Sequence, residues 1–263
     1  MNRIEIFEDT MNQCETNPKL IESIEKSIRA TVLYRQGETP EIQTTSGNCR
    51  ITVTQERTFE SARNLMNEYP GSKIGVLNFA SARNVGGGVV RGASAQEECL
   101  CRCSTLYPCL NTEYLFEHYY QMHRNLKELT YTDACIYTPD ITIIKSDTAY
   151  PESIPENEWY SVDVLTSPAP NASALKISDI ELMKIHKRRS SHIISIAIAH
   201  NIDVLVLGAF GYGAFRNNPE TVAEAYKEIL PKFMSHFKEI RFAVYCPPKN
   251  IKNYDTFRRI ICG

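Results

Sequence analysis

Residues 74–98 read IGVLNFASARNVGGGVVRGASAQEE, and their order decides the fold. Ile74–Ala80 is a short, mostly apolar run of strand character. Gly86-Gly87-Gly88 follow as a loop, and seven residues later come Gln96-Glu97-Glu98 at the start of an expected helix. Glycine has no Cβ, so backbone N–H groups can approach a ligand closely and point at an anion. Two adjacent carboxylates just beyond such a loop place an acid/base group beside a bound phosphate or sugar.

Strand and helix signals alternate outward from this unit. Helices are predicted over residues 19–34, 56–69, 112–129 and 179–200, with Pro70-Gly71 stopping the second. Strands are predicted over 50–54, 73–80, 134–144 (interrupted at Pro139), 161–166, 203–208 and 241–246. Asp203–Gly208 has the unbroken apolar character of a central strand. The alternation predicts a three-layer α/β fold, a mixed sheet flanked by helices. Residues 1–50 are expected to form an accessory helical segment packed on a catalytic domain spanning 51–263. No internal repeat or low-complexity tract is evident.

Composition bounds the function. The formal net charge of −2 gives no global basic field for nucleic acid. No stretch approaches the roughly 18 apolar residues of a membrane span. The N-terminus lacks an apolar signal core, and the nine cysteines are an odd set best read as thiols. The expectation is a cytoplasmic monomer, nuclear if the source is eukaryotic, with no membrane partner and no sequence-specific nucleic acid.

A second glycine-bearing turn, Gly208-Ala209-Phe210-Gly211-Tyr212-Gly213-Ala214-Phe215, leaves a buried strand. It leads to a helix with Pro219 at its first position and Glu220 in its acidic first turn. Ligands in open α/β sheets bind at such strand ends, and helix N-termini favour phosphate. Together the two turns resemble the macrodomain-type poly(ADP-ribose) glycohydrolases, specifically their microbial branch. The triple glycine, the Val89–Ala95 spacer and Gln96-Glu97-Glu98 carry the motif. Asn78-Phe79-Ala80-Ser81, Ile136–Asp140, Val164–Asn171 and Leu207–Phe215 extend the likeness over residues 50 to 250.

The resemblance implies a macrodomain-like fold, no cofactor, no metal, and poly(ADP-ribose) on modified proteins as substrate. It implies Glu98 as the catalytic acid and base, with Glu97 orienting the ribose and raising the Glu98 pKa. Gly86, Gly87, Gly88, Gly208, Gly211, Tyr212, Gly213, Ala214 and Phe215 would contact the ligand. Asn78 and Ser81 would lie near the distal ribose, and Gln96 has a structural role with a weaker claim to ligand contact. A tyrosine insert of the longer animal enzymes has no counterpart, which implies action at chain ends. A mono-ADP-ribosyl hydrolase acting on protein or nucleic acid, or a non-catalytic ADP-ribose reader, remains open.

Arg216-Asn217-Asn218 departs from the family's more usual Gly-Asn-Asp. Cys99, Cys101, Cys103 and Cys109 are expected to be buried thiols. The run Lys184, His186, Lys187, Arg188, Arg189, His192 is expected on a solvated helix face. His118 and His123 lack a nucleophile partner.

Overall fold

The computed structural model describes residues 1–43, 45–174, 177–213, 215–247 and 249–263. In chain order the helices are α1 (Arg3–Thr16), α2 (Pro18–Ala30), α3 (Thr58–Glu68), α4 (Gln96–Cys103), α5 (Leu106–Leu110), α6 (Glu113–Leu115), α7 (Met122–Asn125), α8 (Asp179–Ala199), α9 (Pro219–Ile229) and α10 (Lys252–Ile261). The strands are β1 (Val32–Tyr34), β2 (Arg50–Thr54), β3 (Ile74–Ala80), β4 (Cys135–Ile143), β5 (Tyr160–Pro168), β6 (Val204–Leu207) and β7 (Glu239–Ala243). They form one seven-stranded sheet in the order β1-β4-β5-β3-β6-β7-β2. The β1–β4 and β4–β5 pairs are antiparallel and the remaining pairs parallel.

The strands alternate their side chains between two cores, as a pleat requires. Leu77, Leu165, Leu205 and Ile240 pack with residues of α8, α9 and α10, including Ile193, Tyr226 and Phe257. On the opposite face Val76, Val164 and Val204 pack with Phe59 and Leu65 of α3, Leu100 of α4 and Tyr119. Both faces are covered, giving the three-layer, macrodomain-like arrangement. β3 lies at the sheet centre, and the helix following its loop returns across the second face.

The leading segment packs on the last turn of α4 and on the chain just beyond β4. The Thr10 hydroxyl in α1 donates to the Arg102 carbonyl in α4 (2.6 Å), and the buried Lys145 donates to the Ile6 carbonyl, Asp9 and Thr10. Residues 32–34 form the sheet edge, with Val32 opposite Tyr137.

Four expectations are corrected. The helix expected over 19–34 ends at Ala30, and Val32–Tyr34 pairs with β4 as a strand. The helix expected over 112–129 ends at Asn125, and Phe116–Gln121 within it is π-helical. Pro139 does not break β4. It falls where the β4–β5 register shifts between Thr138 and Ile141, a bulge that tolerates a residue without an N–H.

The basic run of α8 is not a solvated face, because His186, Arg189 and His192 are buried. Arg189 donates to Asp133 (3.0 Å) and to the carbonyls of Pro168, Thr130 and Tyr131. Burial pushes the Asp133 carboxyl up, but hydrogen bonds and charge from Arg188 and Arg189 outweigh it and hold the carboxyl below its ordinary value. The Cys99, Cys101, Cys103 and Cys109 thiols are buried, as expected.

Candidate active site

The site begins where β3 outruns β6. Their pairing stops at Val76↔Val206, whereas β3 continues beside β5 to Ala80. Gln96 fills the vacated ladder positions: Phe79 N–H donates to its Oε1 (2.8 Å) and its Nε2 donates to the Leu77 carbonyl (2.7 Å). A third bond runs from Nε2 to Thr58 Oγ1 (3.0 Å). One side chain thus fixes the first residue of α4 against the end of the strand, the structural role its sequence position suggested.

With Gln96 pinned, Glu97 and Glu98 take fixed positions in the first helical turn. Asn78 continues the Ile74–Val76 face of β3 under α4 and is fully buried. Its Nδ2 lies 3.4 Å from Glu97 Oε1 and 3.2 Å from Thr166 Oγ1. The Ser81 N–H donates to Glu97 Oε2 (2.7 Å). The Glu97 carboxyl is pushed up to about 8. Burial is the largest cause, the Ser81 N–H opposes it, the charge of Glu98 adds to it and Asn78 opposes it.

Glu98 meets the glycine loop. The Gly88 N–H donates to its Oε1 (2.9 Å), while its buried Oε2 has no hydrogen-bond partner among the described residues. Gly87 explains why the loop needs glycine. It sits at φ +61°, and a Cβ there would lie 2.4 Å from Glu98 Oε1 and 3.1 Å from Glu97 Oε2. Both the left-handed conformation and the close approach exclude a side chain. Gly87→Ala should therefore displace Glu98 and lower turnover by at least about 100-fold. It should also cost about 1 kcal/mol or more of stability. Steady-state rates and urea denaturation check these outcomes.

The second turn closes the other side. Gly211, at φ +79°, packs so tightly that a Cβ would lie 2.4 Å from Asn217 Nδ2 and 2.5 Å from the Ala169 Cβ. Asn217 ties the turn by donating to the Gly211 and Pro170 carbonyls (2.9 Å each), and it accepts from His186 Nε2 (2.9 Å). Burial lowers the His186 pKa to about 4, so the ring is neutral and can donate one proton there. Arg216 is exposed and holds φ +51°, the left-handed conformation that explains a glycine at this position in the family's usual sequence.

A cavity of about 500 Å³ lies between the two turns. Ser81, Gly87, Gly88, Gln96, Glu97 and Glu98 form one side of it. Gly211, Tyr212, Gly213 and Phe215 form another. Asn78 lies beneath the carboxylates. Gly86 bounds the loop behind, where a Cβ would meet Tyr107. Gly208 sits against the Ala243 carbonyl, 2.7 Å from where its Cβ would be. Ala214 lies outside the described residues.

Sequence reasoning missed Arg57, Asp147, Tyr245 and Asn253, which also line the cavity. The Arg57 guanidinium stacks over the Tyr245 ring at 4.0 Å. These residues come from separate loop and helix segments, and no local pattern links them. His123 is structural, its Nδ1 bonded to the Tyr119 carbonyl and its Nε2 to Thr132.

This three-layer sheet, with glycine turns at two strand ends and paired buried carboxylates between them, defines a macrodomain-like α/β protein. Residues 3–146 match the family model described as microbial-type PARG, catalytic domain. The chain belongs to this family, the microbial-type poly(ADP-ribose) glycohydrolases. Its structure is similar to that of poly(ADP-ribose) glycohydrolase from Thermomonospora curvata, at 31% sequence identity, 98% coverage of each chain and a TM-score of 0.88. A second Thermomonospora curvata structure of similar fold, with a TM-score of 0.85, 31% identity and the same coverage, is bound to the inhibitor ADP-HPD. The enzyme from Deinococcus radiodurans in complex with ADP-ribose is also similar, at 32% identity, with 90% of this chain and 96% of that chain covered and a TM-score of 0.80. A search of curated proteins gave no match.

Proposed function

We propose that this protein hydrolyses the ribose–ribose O-glycosidic bond of poly(ADP-ribose) and releases ADP-ribose mainly from chain ends. The observation that carries this reading is the Glu98 carboxyl. One oxygen is held by the Gly88 N–H, and the other is buried at the cavity without a hydrogen-bond partner among the described residues. Such a carboxyl can protonate the leaving 2′-oxygen as the C1″–O bond breaks through an oxocarbenium-like state. Its carboxylate then takes a proton from water as the oxygen of that water bonds C1″. The products are free ADP-ribose and a polymer one unit shorter.

Glu97 binds and orients in this scheme. Its oxygens are occupied by Ser81 and Asn78, so it holds the ribose hydroxyls at a fixed depth. The Gly208–Phe215 turn receives the diphosphate, with backbone close to the ligand. Arg57 stacked on Tyr245 lines both this cavity and a neighbouring hollow and forms a wall between them, which supports action on a terminal unit. The substrate is poly(ADP-ribose) carried on modified proteins, and the enzyme works as a monomer in the cytoplasm.

The test is incubation with a heavily poly(ADP-ribosyl)ated protein while free ADP-ribose is followed by chromatography. Progressive release is expected. Absence of release overturns the reading, and release only from singly modified protein reassigns the enzyme to mono-ADP-ribosyl hydrolysis.

A further inference from the structure

Three arginines lie in or beside the glycine-loop segment, one of them lining the cavity. Arg91 lines the cavity beside the glycine loop. Its Nη2 lies 3.9 Å from where a Gly88 Cβ would stand, and its side chain makes no hydrogen bond among the described residues. Arg83 and Arg124 flank Asn84, which also lines the cavity. Arg124 Nε donates to the Arg83 carbonyl (2.6 Å), and its Nη2 lies 3.4 Å from Asn84 Oδ1. Arg83 Nη2 donates to the Leu126 carbonyl (3.3 Å), and its guanidinium lies 5.9 Å from the centre of the Tyr131 ring.

These arginines differ from several others in the chain, though Arg3, Arg102, Arg216 and Arg258 also lack an ion pair among the described residues. Arg57, Arg188, Arg189 and Arg241 each pair with a carboxylate. Arg83, Arg91 and Arg124 form no ion pair among the described residues. Three guanidiniums without an ion pair, one lining the cavity and two beside its lining residue Asn84, in a chain of formal net charge −2, form a local field for an anion. Tethering to backbone orients Arg83 and Arg124 before any ligand arrives, so less rotamer freedom is lost on binding.

We propose that Arg83, Arg91 and Arg124 hold the diphosphate of the polymer unit beyond the scissile bond, on its leaving side. This assignment rests on the hydrolase reading above. If Glu98 protonates the leaving oxygen, the departing unit must lie beyond Glu98, where Asn84 and Arg91 stand. That unit carries a diphosphate, and free ADP-ribose in the cavity has nothing at that position. The arginine group therefore discriminates polymer from monomer.

The assignment is tested by calorimetry in a Glu98→Gln background, so that the ligand survives. Free ADP-ribose and a three-unit oligomer are titrated at low and near-physiological salt, alone and with Arg91→Gln or Arg124→Gln. Each arginine substitution should weaken oligomer binding roughly three- to tenfold and make its salt dependence shallower. Affinity for free ADP-ribose should be unchanged. Melting temperature monitors folding, and Arg91, whose side chain makes no hydrogen bond among the described residues, is the variant least able to disturb it.

If neither ligand binds the parent protein, the hydrolase reading falls and the arginine assignment with it. If ADP-ribose binds but the oligomer binds no tighter, or the substitutions weaken both ligands equally or neither, the arginine assignment alone is wrong. Equal competition by a single-stranded oligonucleotide of matched charge would also overturn it, leaving a general polyanion surface.

Discussion

Glu98→Gln is expected to slow ADP-ribose release by about 10²- to 10⁴-fold, with an effect near the upper end if one carboxyl serves both proton transfers. A thousandfold loss corresponds to about 4 kcal/mol of transition-state stabilisation. The substitution is nearly isosteric. The glutamine carbonyl can still accept from the Gly88 N–H at the position of Glu98 Oε1. The amide cannot protonate the leaving oxygen or deprotonate water. In the proposed reading most of the ADP-ribose contacts lie elsewhere, at Glu97, the Gly208–Phe215 turn and Arg57. Affinity for ADP-ribose should accordingly stay within about threefold of wild type, a difference below 1 kcal/mol. Rate measured at saturation, paired with calorimetry, separates the two effects. A variant that loses binding and rate together would move Glu98 from catalysis to ligand support.

The second large effect concerns Glu97 and pH. Its carboxyl in the folded protein sits at about 8, against an ordinary value of 4.5. The proton is thus bound more tightly in the native state than in the unfolded chain. Its stabilising contribution is full below about pH 4.5 and is lost as pH rises through 8, because ionisation then places a charge in a buried site beside Glu98. The total span is on the order of 5 kcal/mol.

Glu97→Gln removes this titration. Asn78 can accommodate it, because its buried Oδ1 has no partner among the described residues, and turning its amide would present that oxygen to the new NH₂ group. The ligand-free variant should therefore gain stability over wild type progressively from about pH 5 to pH 8, with a constant difference above that range. Urea denaturation of both proteins across this range checks the prediction. Asp147, whose carboxyl is also raised by burial, is common to both and cancels in the comparison. Parallel stability curves would show that Glu97 is already charged in the native protein.

The parts of this site that could be read from sequence are those encoded within one strand–loop–helix unit. The apolar run of β3, the triple glycine and the paired glutamates lie within residues 74–98, and local chemistry determines their roles. Likewise Pro219 takes the first position of α9 with Glu220 in its first turn, as expected, and Asn218 caps it.

What stayed hidden depends on distant partners. The apolar spacing at Ile24, Ile28 and Leu33 continues a helical pattern, yet Val32–Tyr34 becomes a strand because the open edge of β4 offers backbone pairing. The charged run of α8 resembles a solvated face until Asp133 and the Pro168 carbonyl supply partners from elsewhere in the chain. Glu97 and Glu98 look equivalent as adjacent letters. They differ because the Ser81 N–H and Asn78 occupy one carboxyl, while the Gly88 N–H holds only one oxygen of the other.

The central claim is that Glu98 moves the proton in cleavage of the polymer. The most direct measurement is single-turnover release of ADP-ribose from poly(ADP-ribose) with enzyme in excess, comparing wild type with Glu98→Gln at equal occupancy of the site. The account predicts rapid release by wild type and release slowed by at least about 100-fold in the variant, with the substrate still bound. Release at an undiminished rate by Glu98→Gln, with occupancy confirmed, would contradict it.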